Sequence, residues 1–90
     1  MTIERWKTFP KRDQLLMIGS EFERARVSER DNEPEYLRGA LERAIALIDL
    51  TTQDDKWRSD LPILEGLKSA VNVFLDDPLR RGVAILYEVL

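Results

Sequence analysis

Apolar residues recur along this chain at intervals of three and four, the period of an α-helix. From Lys11 to Arg30 the stripe is Leu15, Ile18, Gly19, Phe22 and Ala25, widened by Leu16, Met17 and Val27. Pro10 suits a first helical turn, where its missing N–H would have no partner anyway. SERDNEPE then interrupts the pattern. Asn32 with Glu35 three residues later resembles a capping box, and Pro34 fits the first turn of a second helix. Leu37, Leu41, Ala44, Ile45 and Ile48 line one face of that helix.

The polar run TTQDDKWRSD reads as the main connection, with Trp57 as an anchor onto the bundle. A third helix follows, with Pro62 in its first turn. Its apolar set is Leu64, Leu67, Val71, Phe74 and Leu75, supported by Ile63 and Ala70. Asp76-Asp77-Pro78 combines a stop, an N-cap and an N1 proline, opening a fourth helix in which Leu79, Val83, Leu86 and Leu90 face one way. Ahead of all four, the i, i+3 spacing of Ile3, Trp6 and Phe9 suggests a turn or strap laid over the core.

Helices are therefore expected at 11–30, 33–51, 60–75 and 78–89, with no strand. Short links make this an all-α, up-and-down four-helix bundle, one domain over residues 1–90. Leu15, Phe22, Leu41, Ile48, Leu64, Val71 and Leu86 are the expected core.

All four glycines, Gly19, Gly39, Gly66 and Gly82, fall inside these helical patterns, where each costs about 0.5–1 kcal/mol relative to alanine. Gly19 and Gly82 lie on the apolar faces of helices 1 and 4, where a small residue lets two backbones approach. Gly66 sits at an edge. Gly39 points away from the Leu37–Leu41–Ile48 face, on a side it shares with Arg43, Ala46 and Leu50. That second face calls for a cover, either another helix of the bundle or a second copy of the chain; the alternative is a glycine open to solvent. The apolar ending GVAILYEVL adds Val89 and Leu90 to the candidate interface, since that end is either packed to its last residue or docked into a partner.

Composition narrows the chemistry. Cysteine and histidine are both absent, which removes a thiolate nucleophile, an imidazole base and the usual zinc ligands. Carboxylates such as Glu21, Glu23, Glu42 and Glu65 lack the histidines of a typical bundle metal site, so no cofactor or metal is expected. The charge is −3, from 14 basic and 17 acidic residues well mixed along the chain. DNA binding is not expected of such a balance, because affinity for nucleic acid rests on neutralising phosphates. MTIERWKTFPKRD has no apolar signal core, and no stretch approaches the about 20 apolar residues of a membrane span. The expectation is a cytoplasmic protein with no membrane partner.

Two clusters remain. ERARVSER, residues 23–30, offers Arg24, Arg26 and Arg30 to an anion or RNA, or else forms ion pairs three and four residues apart. Lys11-Arg12 and Arg80-Arg81 are basic pairs at helix starts. Trp6 and Trp57 either anchor a partner or plug the ends of the bundle.

LLMIGSEFERAR together with LERAIALIDLTTQDDKW resembles a family of short prokaryotic helical-bundle proteins with no assigned activity, over roughly residues 6–75. The architecture is also similar to HEPN-type four-helix domains, including partners of minimal nucleotidyltransferases. Active HEPN ribonucleases pair an arginine with a nearby histidine, which this chain lacks, so the resemblance implies fold and not catalysis. The reading from sequence is a non-catalytic binding or assembly module, a homodimer or the partner of another protein. The alternative is an RNA-associated or toxin–antitoxin component using the helix 1 arginines.

Overall fold

The three long hydrophobic periods become three helices in a computed structural model that describes residues 1–77, 79–88 and 90. A single turn, α1 (Ile3–Trp6), precedes α2 (Lys11–Arg30) and α3 (Pro34–Thr52). A 3₁₀ turn (Asp55–Asp60), α4 (Leu61–Asp76) and a short α5 (Ile85–Glu88) follow. There is no strand among the described residues, and no helix there is long and apolar enough to cross a membrane. The fold is all-α. α3 is central: α2 and α4 both pack along it, and α5 touches both α2 and α4.

α2 ends because Asn32 turns left-handed, at φ 55°, a conformation asparagine tolerates better than most residues. Its N–H then donates to the Glu29 carbonyl at 3.2 Å, and the Glu33 N–H to the Ser28 carbonyl at 2.8 Å. This is the paired closure of a Schellman motif. The capping-box reading is corrected accordingly: Asn32 closes α2, and α3 starts from Glu33 with no side-chain cap.

The fourth helix expected at 78–89 is reduced to Ile85–Glu88. Asp77 is extended, at φ −129° and ψ 92°. Its carboxylate accepts the Leu79 N–H at 3.1 Å, and its carbonyl accepts the Arg80 N–H at 3.0 Å. The acid that was read as an N-cap builds a turn instead. Gly82, at φ +88°, then keeps a continuous helix from forming, so its glycine serves a turn and not a close helix crossing. Pro78 and Val89 lie outside the described residues. Leu79, assigned to the inward face, is 86% exposed, whereas Val83 and Leu86 do reach the core.

Glu29, on the last turn of α2, holds this segment in place. Its Oε1 accepts the Gly82 N–H at 3.1 Å and its Oε2 the Val83 N–H at 3.2 Å. Arg81 also reaches the Glu29 carbonyl, at 3.4 Å.

The core contains Phe22, Leu41, Ile48, Leu64, Val71 and Leu86 as expected, together with Trp6, Ile18, Ala40 and Ala44. Each large aliphatic or aromatic side chain removed from water there contributes roughly 1.5–3 kcal/mol. Leu15 is only half-buried. Its neighbour Gln14 is fully buried in its place, because polar partners wait for it inside.

Those partners tie one end of the fold together. Gln14 Nε2 donates to the Trp6 carbonyl and to Asp54 Oδ2, both at 2.9 Å, and its Oε1 accepts the Trp57 indole N–H at 2.7 Å. The Trp6 indole N–H donates to Thr51 Oγ1 at 3.1 Å, and that hydroxyl donates to the Leu47 carbonyl at 2.7 Å. α1, α2, the end of α3 and the 3₁₀ turn are thereby joined through polar atoms that have all found partners. Both tryptophans are plugs within the chain.

Candidate functional site

The three arginines of α2 singled out above, Arg24, Arg26 and Arg30, are each paired with a carboxylate. Arg26 grips Glu23 with two bonds, Nε to Oε2 at 3.0 Å and Nη2 to Oε1 at 2.6 Å. That grip, helped by the charges of Arg26 and Arg30, holds the Glu23 carboxyl below its ordinary pKa against the opposing effect of desolvation. Arg30 Nε donates to Asp31 at 3.0 Å. Arg24 pairs with Glu21, which also accepts from Arg43 Nε at 2.7 Å. The Glu21 side chain is only 7% exposed, so this carboxylate clamps α2 to α3 and its charge is met by two guanidinium groups. At about 100° per residue, Arg24 and Arg26 leave the helix on nearly opposite sides. The structure brings Arg24 beside Arg43, in a shallow groove with Val27, Ser28 and Tyr36. It does not gather Arg24, Arg26 and Arg30 onto one surface.

The candidate interface divides as well. Gly39, Arg43, Ala46 and Leu50 share a stripe of α3, with Ala46 exposed and Gly39 and Leu50 half-buried. A Cβ at Gly39 would meet only the tip of Arg43, at 3.2 Å. Among the described residues no second helix comes within 4 Å of that Cβ, so of the covers considered for this face a helix of the same bundle is not found. Leu90 lies elsewhere, against α2: a Cβ at Gly19 would sit 3.1 Å from Leu90 Cδ2 and 3.5 Å from Tyr87 Cε2. Gly19 is therefore the glycine that permits close packing, and the C-terminal segment is what packs on it. Val89 is outside the described residues.

Lys11, at the start of α2, and Arg80, in the turn after α4, both contact other parts of the chain. Lys11 Nζ bonds Asp60 at 2.8 Å and rests 4.7 Å from the centre of the Trp57 ring. Arg80 lies over Phe74, 6.0 Å from its ring centre. Among the described residues, no three acidic side chains gather in a way that could hold a metal ion.

Two apolar surfaces were not singled out from sequence. The first is a cleft of about 220 Å³ between the start of α3, the end of α4 and the segment after it. Leu37, Leu41, Phe74, Leu75 and Val83 line it, with Arg38 and Arg80 at its rim. The second is the outward side of α4. Ile63, read as support for the core, is 68% exposed, and Val73 is 44% exposed. Gly66 is also exposed, with nothing within 4 Å of where its Cβ would be. The signal for this surface lay in the sparse charge of α4, where only Glu65, Lys68 and Asp76 interrupt the helix. Periodicity assigns such residues to a core and does not say when a helix has more apolar surface than its neighbours can cover.

No protein-family model, curated protein or solved structure matches the chain.

Proposed function

We propose that this protein is a small, non-catalytic helical-bundle module for binding and assembly, and that it self-associates. In this reading the segment after α4 takes the fourth position of the bundle as a pinned turn and one helical turn.

One observation carries the reading. An apolar cleft stays open after the helices have packed, with Leu37, Leu41, Phe74, Leu75 and Val83 lining it together. Single exposed apolar residues are ordinary, but contiguous apolar surface on a small domain marks a contact site. The charged groups elsewhere are largely committed to one another, as the pairs of Glu21, Glu23, Asp49 and Asp60 show.

Sedimentation velocity of the purified chain over a wide concentration range tests the reading. Self-association appears as a sedimentation coefficient that rises with concentration. A constant monomer value up to millimolar concentration would remove self-association from the proposal.

A further inference from the structure

We propose that the groove between α2 and α3 at Arg24, Arg43 and Tyr36 binds a small phosphate monoester carrying a flat ring, as a mononucleotide does. This site is separate from the apolar cleft, and it goes beyond the assembly reading without depending on it.

A buried carboxylate builds the site. Glu21, its side chain 7% exposed, takes Arg24 on one oxygen and Arg43 on the other. A carboxylate removed from water needs a cation beside it. One guanidinium would meet that charge, so the second is surplus. Arg24 is anchored to Glu21 through Nη1 alone, and Arg43 through Nε alone. A guanidinium carries five N–H donors in one plane, and among the described residues neither group makes another hydrogen bond. Their remaining donors face water, since the two side chains are 62% and 57% exposed. A Cβ at Gly39 would stand 3.2 Å from Arg43 Nη1, so the glycine leaves this guanidinium its place beside the helix.

The acids nearby do not cancel the surplus. Glu23, at the edge of the groove, has both oxygens engaged by Arg26. Glu42, next to Arg43 in sequence, pairs with Arg38. Glu33 and Glu35, close to Tyr36 in sequence, line other surfaces. The guanidinium groups of Arg24, Arg26 and Arg43 against the carboxylates of Glu21 and Glu23 leave one net positive charge.

The shape suits a small ligand. The groove holds about 320 Å³ and is completed by Val27, Ser28 and Tyr36. Two adjacent guanidinium groups match a phosphate, whose oxygens accept parallel pairs of N–H bonds. Tyr36 is 70% exposed and offers a free ring face on which a flat ring can stack. Ser28 adds a hydroxyl and Val27 an apolar contact. A terminal phosphate gathers up to two charges in one group, whereas an RNA strand spreads single charges along its length. Binding a strand takes a row of free cations. Here Arg26 leaves α2 on nearly the opposite side from Arg24, and Arg30 is paired with Asp31. The geometry favours the small ligand over RNA.

Adenosine monophosphate titrated into isotopically labelled protein tests the site, with backbone amide shifts read by NMR. Saturating shifts are expected below about 1 mM ligand, centred on Arg24, Ser28, Tyr36 and Arg43. Arg24→Gln leaves Glu21 its bond from Arg43, so the fold survives, which circular dichroism verifies. This variant should bind at least about tenfold more weakly, having lost one charge-assisted contact. Tyr36→Ala should weaken the nucleotide at least about fivefold and leave inorganic phosphate binding unchanged, a split that loss of structure would not produce. Adenosine, without the phosphate, should bind at least about tenfold more weakly than the nucleotide. Absence of saturable shifts up to about 10 mM nucleotide overturns the proposal. Binding that Arg24→Gln and Tyr36→Ala both leave unchanged overturns it too, because the ligand then sits elsewhere. An oligoadenylate without a terminal phosphate that binds more tightly than the mononucleotide overturns the small-ligand assignment in favour of RNA.

Discussion

Trp57 donates its indole N–H to Gln14 Oε1 at 2.7 Å across 43 positions of sequence. The bond fixes the orientation of the Gln14 amide, whose nitrogen is then left to donate to the Trp6 carbonyl and to Asp54. A single buried side chain thus orients the Trp57 ring and ties the Trp6 backbone to the start of the 3₁₀ turn.

Replacing it should be costly. Gln14→Leu conserves bulk but leaves the Trp57 N–H without a partner, and it takes one donor each from the Trp6 carbonyl and Asp54 Oδ2, which keep only the Phe9 N–H and the Lys56 ammonium. Each buried group left unmet costs about 1–3 kcal/mol. We expect a loss of about 3 kcal/mol in chemical denaturation, with tryptophan emission moving to longer wavelength in the native state as the plugs loosen. An unchanged midpoint would mean that water serves these groups as well as Gln14 does.

Asp54 makes the same end of the molecule sensitive to acid. Burial on its own raises the Asp54 carboxyl; bonds from the Lys56 ammonium, Gln14 and the Lys56 N–H, with the Lys56 charge, outweigh it and hold the pKa below 3.8. The unfolded chain therefore takes up this proton at higher pH than the folded one. The stabilisation is complete above the unfolded pKa and is lost as pH falls from there through the folded value. Asp54→Asn should cost about 1–3 kcal/mol at neutral pH, the worth of hydrogen bonds to a charged group. It should also flatten the decline of stability with acid in the window below 3.8. Parallel acid limbs for variant and wild type would show that Asp54 is not the group responsible.

How much of this was legible in the sequence differs by element. α2, α3 and α4 were placed within a residue or so of their ends, since each has a long apolar stripe and a proline or polar break beside it. The C-terminal segment misled because Leu79, Val83, Leu86 and Leu90 keep a helical spacing while local chemistry dictates otherwise. The Asp77 carboxylate captures the Leu79 N–H, and Gly82 adopts a left-handed φ that other residues rarely take. The polar knot of Gln14, Thr51 and Asp54 was invisible for another reason: periodicity counts such residues as surface, and their partners lie about 40 or more positions away. The pairing of Arg26 with Glu23 was readable from its spacing of three. The Glu21 clamp to Arg43 needed the α2–α3 register.

Glu29 offers a local test of how the C-terminal segment is held. Its carboxylate receives the Gly82 and Val83 amides, and Val83 is fully buried just behind them. Glu29→Ala should speed hydrogen exchange at these two amides and at Leu86 and Tyr87, whose N–H groups bond back to the Val83 and Ala84 carbonyls. The global cost should be about 1–3 kcal/mol. Exchange in α3 should slow or quicken only with the global stability. Unchanged protection at Gly82 and Val83 would show that apolar packing of Val83 and Leu86 pins the segment without the carboxylate.

The remaining prediction concerns three glycines that a single substitution treats differently. Gly66 lies within α4 and is open on its outer side, so Gly66→Ala gains helix propensity without meeting a wall. It should stabilise the dilute chain by about 0.5–1 kcal/mol. Gly39→Ala meets only the end of the Arg43 side chain, at 3.2 Å. That flexible tip yields by a few tenths of an ångström, so the same gain should survive in part, provided Arg43 keeps its bond to Glu21. Gly82→Ala must hold an alanine at φ +88°, a left-handed conformation that costs about 1–2 kcal/mol outside glycine. It should destabilise although no atom lies within 4 Å, because the penalty arises in the backbone and not in a clash. The expected order of melting temperatures is Gly66→Ala, Gly39→Ala, wild type, Gly82→Ala. A destabilised Gly39→Ala would place an unyielding neighbour above α3, and a neutral Gly82→Ala would mean that the segment escapes its left-handed turn once the glycine is gone.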